Sequence, residues 1–432
     1  MDLIYFRFFP DCHYIRGPVR GAIYKITLGK IMHLSKVETE IVNRWLANER
    51  IDSVELKYPK VAKELLSRLI GEGIGTVFPT PVYTEPFEPS ASHIMEQLFE
   101  QPPVIKKAYI QVNNKCNAHC LFCGSSDYYV SAGCVTCLQW PQKRKSSNID
   151  ELTFGMLTKQ LADLETHTLI FSGGNPLLEW NKLIAIVRKA INHRSSIKTI
   201  VNTNSYGFNE KIAKDAKNLN IQFNFTVFSD SREGYKKITG SEEIFNSLLQ
   251  AVELCKANDI TYGISLLTCP ESHDNYDKIQ QFAKNLGGVF LGNSEIFLKA
   301  GAKKPLAALP IGEKQGEKRF SKIDSKNFLE AKHFSRCLHG VIAISCHGII
   351  SPCPILTKPV GKIPKDDIVS IFRNKKLDPY WTFNKTKVPK CKECEFRFAC
   401  VDCAVTENYR KKDPSIHNAV CTYQPDKGEW VS

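Results

Sequence analysis

The sequence predicts an α/β chain: a partial barrel of repeated strand–helix units, preceded by a small α+β unit and followed by a cysteine-rich segment held by metal. Three observations lead there. Between 105 and about 302, six apolar runs rich in β-branched residues alternate with helical stretches, which implies parallel strands joined by right-handed crossovers. Thirteen of the sixteen cysteines fall into three groups, 116/120/123, 134/137 and eight between 337 and 421. Residues 79–103 carry six prolines, the signature of a linker between units.

Residues 1–85 form the first unit. YFRFFP, GAIYKI and KIMHLS read as strands, with turns at Gly17-Pro18 and Gly29. VETEIVNRWLANE and PKVAKELLSRLIGEG place apolar residues at helical spacing, and TVFPTPVY is extended. Residues 86–104 are the proline-rich linker. The barrel spans 105–302, with strands at IKKAYIQV, TLIFSG, IKTIVNT, IQFNFTVF, ITYGISLL and VFLGNSEIFL. TFGMLTKQLADLE, PLLEWNKLIAIVRKAI and SEEIFNSLLQAVELCKAN are the intervening helices. Residues 303–332 are lysine-rich and read as a mobile basic bridge. Residues 333–432 combine weak secondary-structure signals with a high density of thiols, as in segments held by metal rather than by a core.

With 58 Lys+Arg against 45 Asp+Glu the chain carries +13, which suits an acidic partner. The 142–147 and 303–332 stretches hold part of that excess and read as solvated loops. No apolar run is long enough to cross a bilayer, and the opening MDLIYFRFFP lacks the form of a signal peptide. The expectation is a cytoplasmic protein with no membrane partner. Disulfides are disfavoured there, so grouped cysteines point to metal. Cys12, Cys255 and Cys269 stand alone and read as buried structural thiols.

The first group, Cys116-x3-Cys120-x2-Cys123, lies in a loop after the first barrel strand, where ligands of such folds gather. Three thiolates in one short loop can grip three irons of a [4Fe–4S] cluster and leave the fourth open to a substrate. A structural zinc site completed by His119 or Cys134 is the competing use of the same residues. The triplet, with Phe122 before its last cysteine, resembles the signature of the radical SAM enzymes. That resemblance implies a cluster that chelates S-adenosylmethionine and cleaves it to a 5′-deoxyadenosyl radical. Gly173-Gly174-Asn175-Pro176, after the second strand, is similar to the family's Gly-Gly-Glu-Pro motif, with Asn in place of Glu. The backbone role of that motif toward the SAM amino group survives the change. The FSDSREGYKKITGS stretch resembles the family's segment after the fourth strand, implying that Ser229 touches SAM. Asn202 and Asn204, at the end of the third strand, are placed to reach the ribose or the methionine carboxylate.

The C-terminal spacing runs Cys337-x10-Gly348-x4-Cys353, then Cys391-x2-Cys394-x5-Cys400-x2-Cys403, then Cys421, with Cys346 as an eighth thiol. It resembles the SPASM extension of the same superfamily, with the Cys400–Cys403 interval one residue short. The resemblance implies two fully ligated auxiliary [4Fe–4S] clusters, an inner one on Cys337, Cys346, Cys353 and Cys403 and an outer one on Cys391, Cys394, Cys400 and Cys421. Eight thiols suffice for both. Paired zinc ribbons are the alternative. Cys134-x2-Cys137, in an insertion between the triplet loop and the next helix, is open to three uses: added metal ligands, a redox pair, or ordering of its loop.

The layout of residues 1–85 resembles the winged-helix PqqD-like domains that bind leader peptides as an added strand. The edge strand would be Lys30–Leu34 and the facing helix Pro59–Gly71. The opening YFRFFPDCHYIRGPVRGAIYKI resembles maturases of the grasp-with-spasm type. The family reading implies a maturase of a ribosomally made precursor peptide, which it oxidises, cross-linking being the expected outcome. Its partners would be that peptide through its leader, a flavodoxin- or ferredoxin-like electron donor and an ATP-grasp ligase, with no nucleic acid. Two alternatives stand beside it: a radical SAM maturase of a protein, of the sulfatase-modifying kind, and a zinc-stabilised nucleic-acid-binding protein.

Overall fold

The computed structural model describes residues 4–86, 105–125, 127–130, 134–140, 150–298, 320–356, 358–400, 403–405, 421 and 423–430. The proline-rich linker from 87 to 104, the basic run at 142–147 and residues 303–319 of the bridge lie outside them.

The N-terminal unit has five strands rather than three: β1 Tyr5–Phe8, β2 Cys12–Arg16, β3 Gly21–Lys25, β4 Lys30–Leu34 and β5 Gly75–Phe78. β2, β3 and β4 form one antiparallel sheet, and β1 pairs with β5 across the whole unit. The strand missed in CHYIR pairs residue by residue with β3, so partner contacts decide it more than its own short pattern does. Helix Lys36–Leu46 opens on a capping box between Ser35 and Glu38, worth about 1 kcal/mol. Helix Pro59–Gly71 begins on a proline at its first position, where the missing N–H costs nothing. A further helix, Ile51–Lys57, joins them. Phe6, Ile41, Trp45, Leu65 and Leu69 form the core beneath.

The predicted barrel strands are all present: β6 Lys107–Ile110, β8 Thr168–Phe171, β9 Lys198–Thr203, β10 Ile221–Val227, β11 Tyr262–Thr268 and β12 Val289–Leu298, with β7 Tyr128–Val130 between the first two in the chain. The six are parallel in the order β6-β8-β9-β10-β11-β12. Helices Glu151–Asp163, Trp180–His193, Glu210–Asn218, Glu243–Ala257 and Tyr276–Asn285 return the chain between them. Alternate strand residues divide the core. Ala108, Ile110, Leu169, Phe171 and Val201 face the helices, while Tyr109 and Ile170 belong to a smaller cluster on the other face.

The sheet has ten strands, because its edges are extended by segments that the sequence pattern did not mark as strands. On one side β7, from the insertion, pairs antiparallel with β12. On the other, β13 Val341–Ile344 lies parallel to β6, and β14 Ile349–Ser351 and β15 Gly361–Lys362 continue the sheet. VIAI is a short apolar run buried on both faces, so it lacks the alternation that would identify it. A last hairpin, β16 Tyr423–Gln424 and β17 Glu429–Trp430, closes the chain.

The described end of the bridge is ordered. Helix Ser325–His333 buries Phe328 and Leu329, and Phe320 and Ile323 join the same core. Averaging over a lysine-rich window hid that apolar face. This core also holds Ala22, Tyr24 and Ile31 of the N-terminal sheet and Phe396, Phe398 and Tyr423 of the thiol-rich segment. The N-terminal unit is thus fastened to the C-terminal one. No helix among the described residues is long and apolar enough to cross a membrane.

Candidate cluster and SAM site

The predicted site residues converge at the C-terminal ends of β6, β8, β9 and β10. The triplet loop leaves β6 and is held from outside by helix Arg232–Thr239: His119 N donates to Thr239 O at 2.8 Å and Leu121 N to Ile238 O at 3.1 Å. His119 itself is exposed. Phe122 is 1% exposed and packs against Phe228, at 6.5 Å between ring centroids, so it anchors the loop in the core. Cys120 and Cys123 are hydrogen-bonded to each other. That bond holds Cys123 below the ordinary cysteine value and, with burial, pushes Cys120 well above it. Ala118 N donates to Cys116 Sγ at 3.5 Å.

Gly173 and Gly174 both have left-handed backbones, at φ +88° and +69°. A Cβ on Gly173 would stand 2.7 Å from Trp140, and one on Gly174 would strike the Lys115 carbonyl of the triplet loop. The two glycines let the second loop lie directly against the first. Asn175 then locks them together. Its amide donates to Asn117 Oδ1 at 3.1 Å and Tyr206 O at 3.0 Å. Its oxygen accepts from Leu177 N at 3.2 Å and Thr203 Oγ1 at 3.0 Å. Both donors and both lone pairs are used inside the protein. Pro176 starts the short 3-10 turn that follows.

Asn204 reaches the triplet: its amide lies 3.8 Å from Cys116 Sγ and 3.5 Å from Asn117 Oδ1. Asn202 turns elsewhere, donating to Cys134 O at 3.3 Å and accepting from Asn224 at 2.8 Å. Ser229 is buried behind Gly234, with its hydroxyl 3.4 Å from Asp230.

Sequence reasoning left the use of Cys134 and Cys137 open and gave no role to the other residues of 134–140; Cys134 and Trp140 pack with Tyr109 on the inner face of the sheet. Tyr109 donates to Cys134 O at 3.2 Å, Cys137 N to Thr226 Oγ1 at 3.0 Å and Trp140 Nε1 to Ser172 Oγ at 3.1 Å. Gln139 bonds Asn114 O at 3.0 Å through its side chain and Cys123 through its backbone N–H. Cys137 lies within electrostatic reach of Cys116 and Cys123. Nearby, His347 is buried with neither ring nitrogen hydrogen-bonded among the described residues, a group that calls for a partner. Only contacts across the fold reveal these residues.

Of the C-terminal thiols, Cys337 and Cys403 are hydrogen-bonded and Cys353 feels Cys403. Cys394 feels Cys400 and Cys421, and all three pack beside the core shared with the N-terminal sheet. Cys391 adjoins them, its carbonyl accepting from Cys394 N at 3.0 Å. Cys346 is not with the inner group. It is fully buried, its N–H donates to Gln111 Oε1 at 3.2 Å, and the charge acting on its thiol is that of Lys182. Cys12, Cys255 and Cys269 are buried, as expected, and burial raises each of their thiols to about 12. No group of His, Cys, Asp or Glu among the described residues converges on a single-ion site. Thiolates of an iron–sulfur cluster each bind a different iron, so a loop of three half-buried, soft donors fits a cluster without such convergence.

The profile of the Radical SAM superfamily matches residues 110–284. Over 216 residues the chain is 24% identical to an uncharacterized protein of Methanocaldococcus jannaschii, covering 48% of this chain and 67% of that one. Over 208 residues it is 24% identical to the radical SAM cyclopropyl synthase TigE of Paramaledivibacter caminithermalis, covering 45% of this chain but only 43% of that enzyme. The fold is similar to that of native anSMEcpe with bound AdoMet, with a TM-score of 0.51 and 14% identity over 73% of this chain and 99% of the other. The chain carries a radical SAM domain over residues 110–284.

Proposed function

We propose that the protein is a radical SAM maturase that oxidises a ribosomally made precursor peptide, with a cross-link as the expected product. The observation that carries this is the joining of a radical SAM domain to a strand-and-helix unit with a basic groove. A cavity of about 370 Å³ lies between β4 and helix Pro59–Gly71, lined by Lys25, Lys30, Met32, Arg68, Glu72 and Lys322 among others. Its cationic wall suits an acidic leader. The outer edge of β4 is met at Gly29 and Ile31 by residues 321–323, with Ile31 N donating to Ser321 O at 2.9 Å. A leader would add as a strand in exchange for that segment, or lie in the groove beside it. The name of the relative TigE, a radical SAM cyclopropyl synthase, supports an oxidative bond-forming outcome.

When bound, the triplet-held cluster and S-adenosylmethionine supply one-electron chemistry that removes a hydrogen atom from the substrate. The chain's own residues do the positioning. Cys116, Cys120 and Cys123 hold the cluster, and Gly173 and Gly174 offer backbone to the methionine end of SAM. Asn204 donates toward Cys116, and the 134–140 segment covers the inner face of the sheet and keeps water from it. The C-terminal thiols would hold two further clusters, whose chemistry would be one-electron transfer. A flavodoxin- or ferredoxin-like protein supplies the first electron, and an ATP-grasp ligase acts on the same peptide.

The test is anaerobic incubation with S-adenosylmethionine, dithionite and a candidate precursor peptide, sought as a short open reading frame beside the gene. Loss of two hydrogen atoms from the peptide supports cross-linking, whereas an unchanged mass with inverted stereocentres replaces it by epimerisation. Lys30→Glu together with Arg68→Glu is expected to weaken leader binding about tenfold or more while leaving substrate-free SAM cleavage intact. Unaltered binding excludes the groove as the leader site.

A further inference from the structure

We infer that Cys134, from the insertion in the radical SAM domain, is the fourth thiolate of the inner auxiliary cluster, beside Cys337, Cys353 and Cys403 and in the place that the family resemblance gives to Cys346. This assignment rests on the reading that the C-terminal thiols hold iron–sulfur clusters.

Geometry places Cys134, Cys337 and Cys353 around Tyr109, with Cys403 beside Cys337. The Cys134 carbonyl is fixed by Tyr109 Oη at 3.2 Å and Asn202 Nδ2 at 3.3 Å, which sets the residue on the inner face between β6 and β9. Ala343 of β13 is the register partner of Tyr109, and Val341, Ala343 and Cys134 pack in one cluster with it. Cys337 precedes β13 and Cys353 follows β14, so both enter from the strand pair beside Tyr109. Cys403 is hydrogen-bonded to Cys337. The electrostatic contacts agree. The Cys134 thiol feels Cys403, and Cys337 and Cys353 each feel both Cys403 and Cys134. The Tyr109 phenol feels Cys134, Cys337 and Cys353.

Cys346 faces a different neighbourhood. Its backbone N–H is held by Gln111, and the charge acting on its thiol is that of Lys182 of helix Trp180–His193, with none from Cys134, Cys337, Cys353 or Cys403. Four thiolates complete a [4Fe–4S] cluster, so with Cys134 present the inner set needs no ligand from Cys346. A further consequence is mechanical. The Cys134–Trp140 segment touches the triplet through Gln139 and approaches it through Cys137, so one short peptide joins the two metal centres.

The experiment uses the full chain with Cys116, Cys120 and Cys123 replaced by alanine, so that only auxiliary clusters are seen after anaerobic reconstitution. Iron, sulfide and the EPR spectrum of the reduced protein are measured for this parent and for Cys134→Ser, Cys134→Ala, Cys337→Ala and Cys346→Ala added to it. The parent is expected to hold about eight irons. Cys346→Ala should keep the iron and the spectrum. Cys134→Ala should lose up to about four irons, as Cys337→Ala does, and the near-isosteric Cys134→Ser should keep iron but shift the g values of one cluster. Parent-like behaviour of both Cys134 variants, or equal losses from Cys134→Ala and Cys346→Ala, overturns the assignment. A parent without iron, or a Cys337→Ala variant without effect, instead overturns the underlying cluster reading and the assignment with it.

Discussion

Asn175 donates its side-chain amide to Asn117 Oδ1 at 3.1 Å, joining the loop after β8 to the loop that carries the cysteine triplet. The family motif has an acid at this position. Here the second amide hydrogen also meets an acceptor, Tyr206 O at 3.0 Å, so the place is built for a donor. Asn175→Glu, although it restores the common motif, is expected to cost about 2–3 kcal/mol, because it buries a carboxylate against two oxygens. Thermal unfolding of the apoprotein reads this as a fall in Tm. An unchanged or higher Tm contradicts the strut role.

Asn204 lies 3.8 Å from Cys116 Sγ through its amide nitrogen. Hydrogen bonds to cluster sulfurs favour the more negative, reduced state. Asn204→Ala should therefore lower the reduction potential of the triplet-held cluster while leaving its iron content near the parent's. An EPR-monitored redox titration measures it, and a potential that stays put or rises refutes it.

Glu330 is gripped by His339, at 2.7 Å from Nδ1 to Oε1, and by Lys106. Burial would raise its carboxyl, but the bonds from His339 and Lys106 win and hold it at about 2, against an ordinary 4.5. A depressed carboxyl contributes stability that is present above about 4.5 and is lost as pH falls through about 2. The contribution is about 3 kcal/mol by linkage. Unfolding free energies between pH 5 and pH 2 should fall more steeply in the parent than in Glu330→Gln. Parallel slopes would remove Glu330 from the account.

Tyr24 donates its hydroxyl to Glu395 O at 2.7 Å, tying β3 to the loop between Cys394 and Cys400. Tyr24→Phe should cost about 1–2 kcal/mol and speed proteolysis between the N-terminal unit and the barrel, because a buried carbonyl loses its donor. Equal cleavage rates would show that apolar packing alone holds the two units.

The barrel was legible because its strands and helices are written in short-range patterns. ITYGISLL and VFLGNSEIFL need no partner to be recognised, and both form strands where expected, as does the facing helix Pro59–Gly71. CHYIR, VIAI and YYV were not legible, since each becomes a strand by pairing with a segment already in place. The bridge misled through composition: its lysines are numerous, but Phe320, Ile323 and Phe328 decide its packing.

The sequence by itself determined that three thiols share one loop at the end of the first barrel strand, and that a second thiol-rich segment follows the barrel. Loop spacing is local chemistry, and it carries that information whatever the rest of the chain does. Only the tertiary structure decided which distant thiols meet. Cys134 stands with Cys337, Cys353 and Cys403, and Cys346 does not, because β13 pairs with β6 and the β13–β14 pair brings Cys337 and Cys353 beside Tyr109. Spacing counts residues along the chain, whereas a metal centre is selected by which side chains the sheet turns toward the same point.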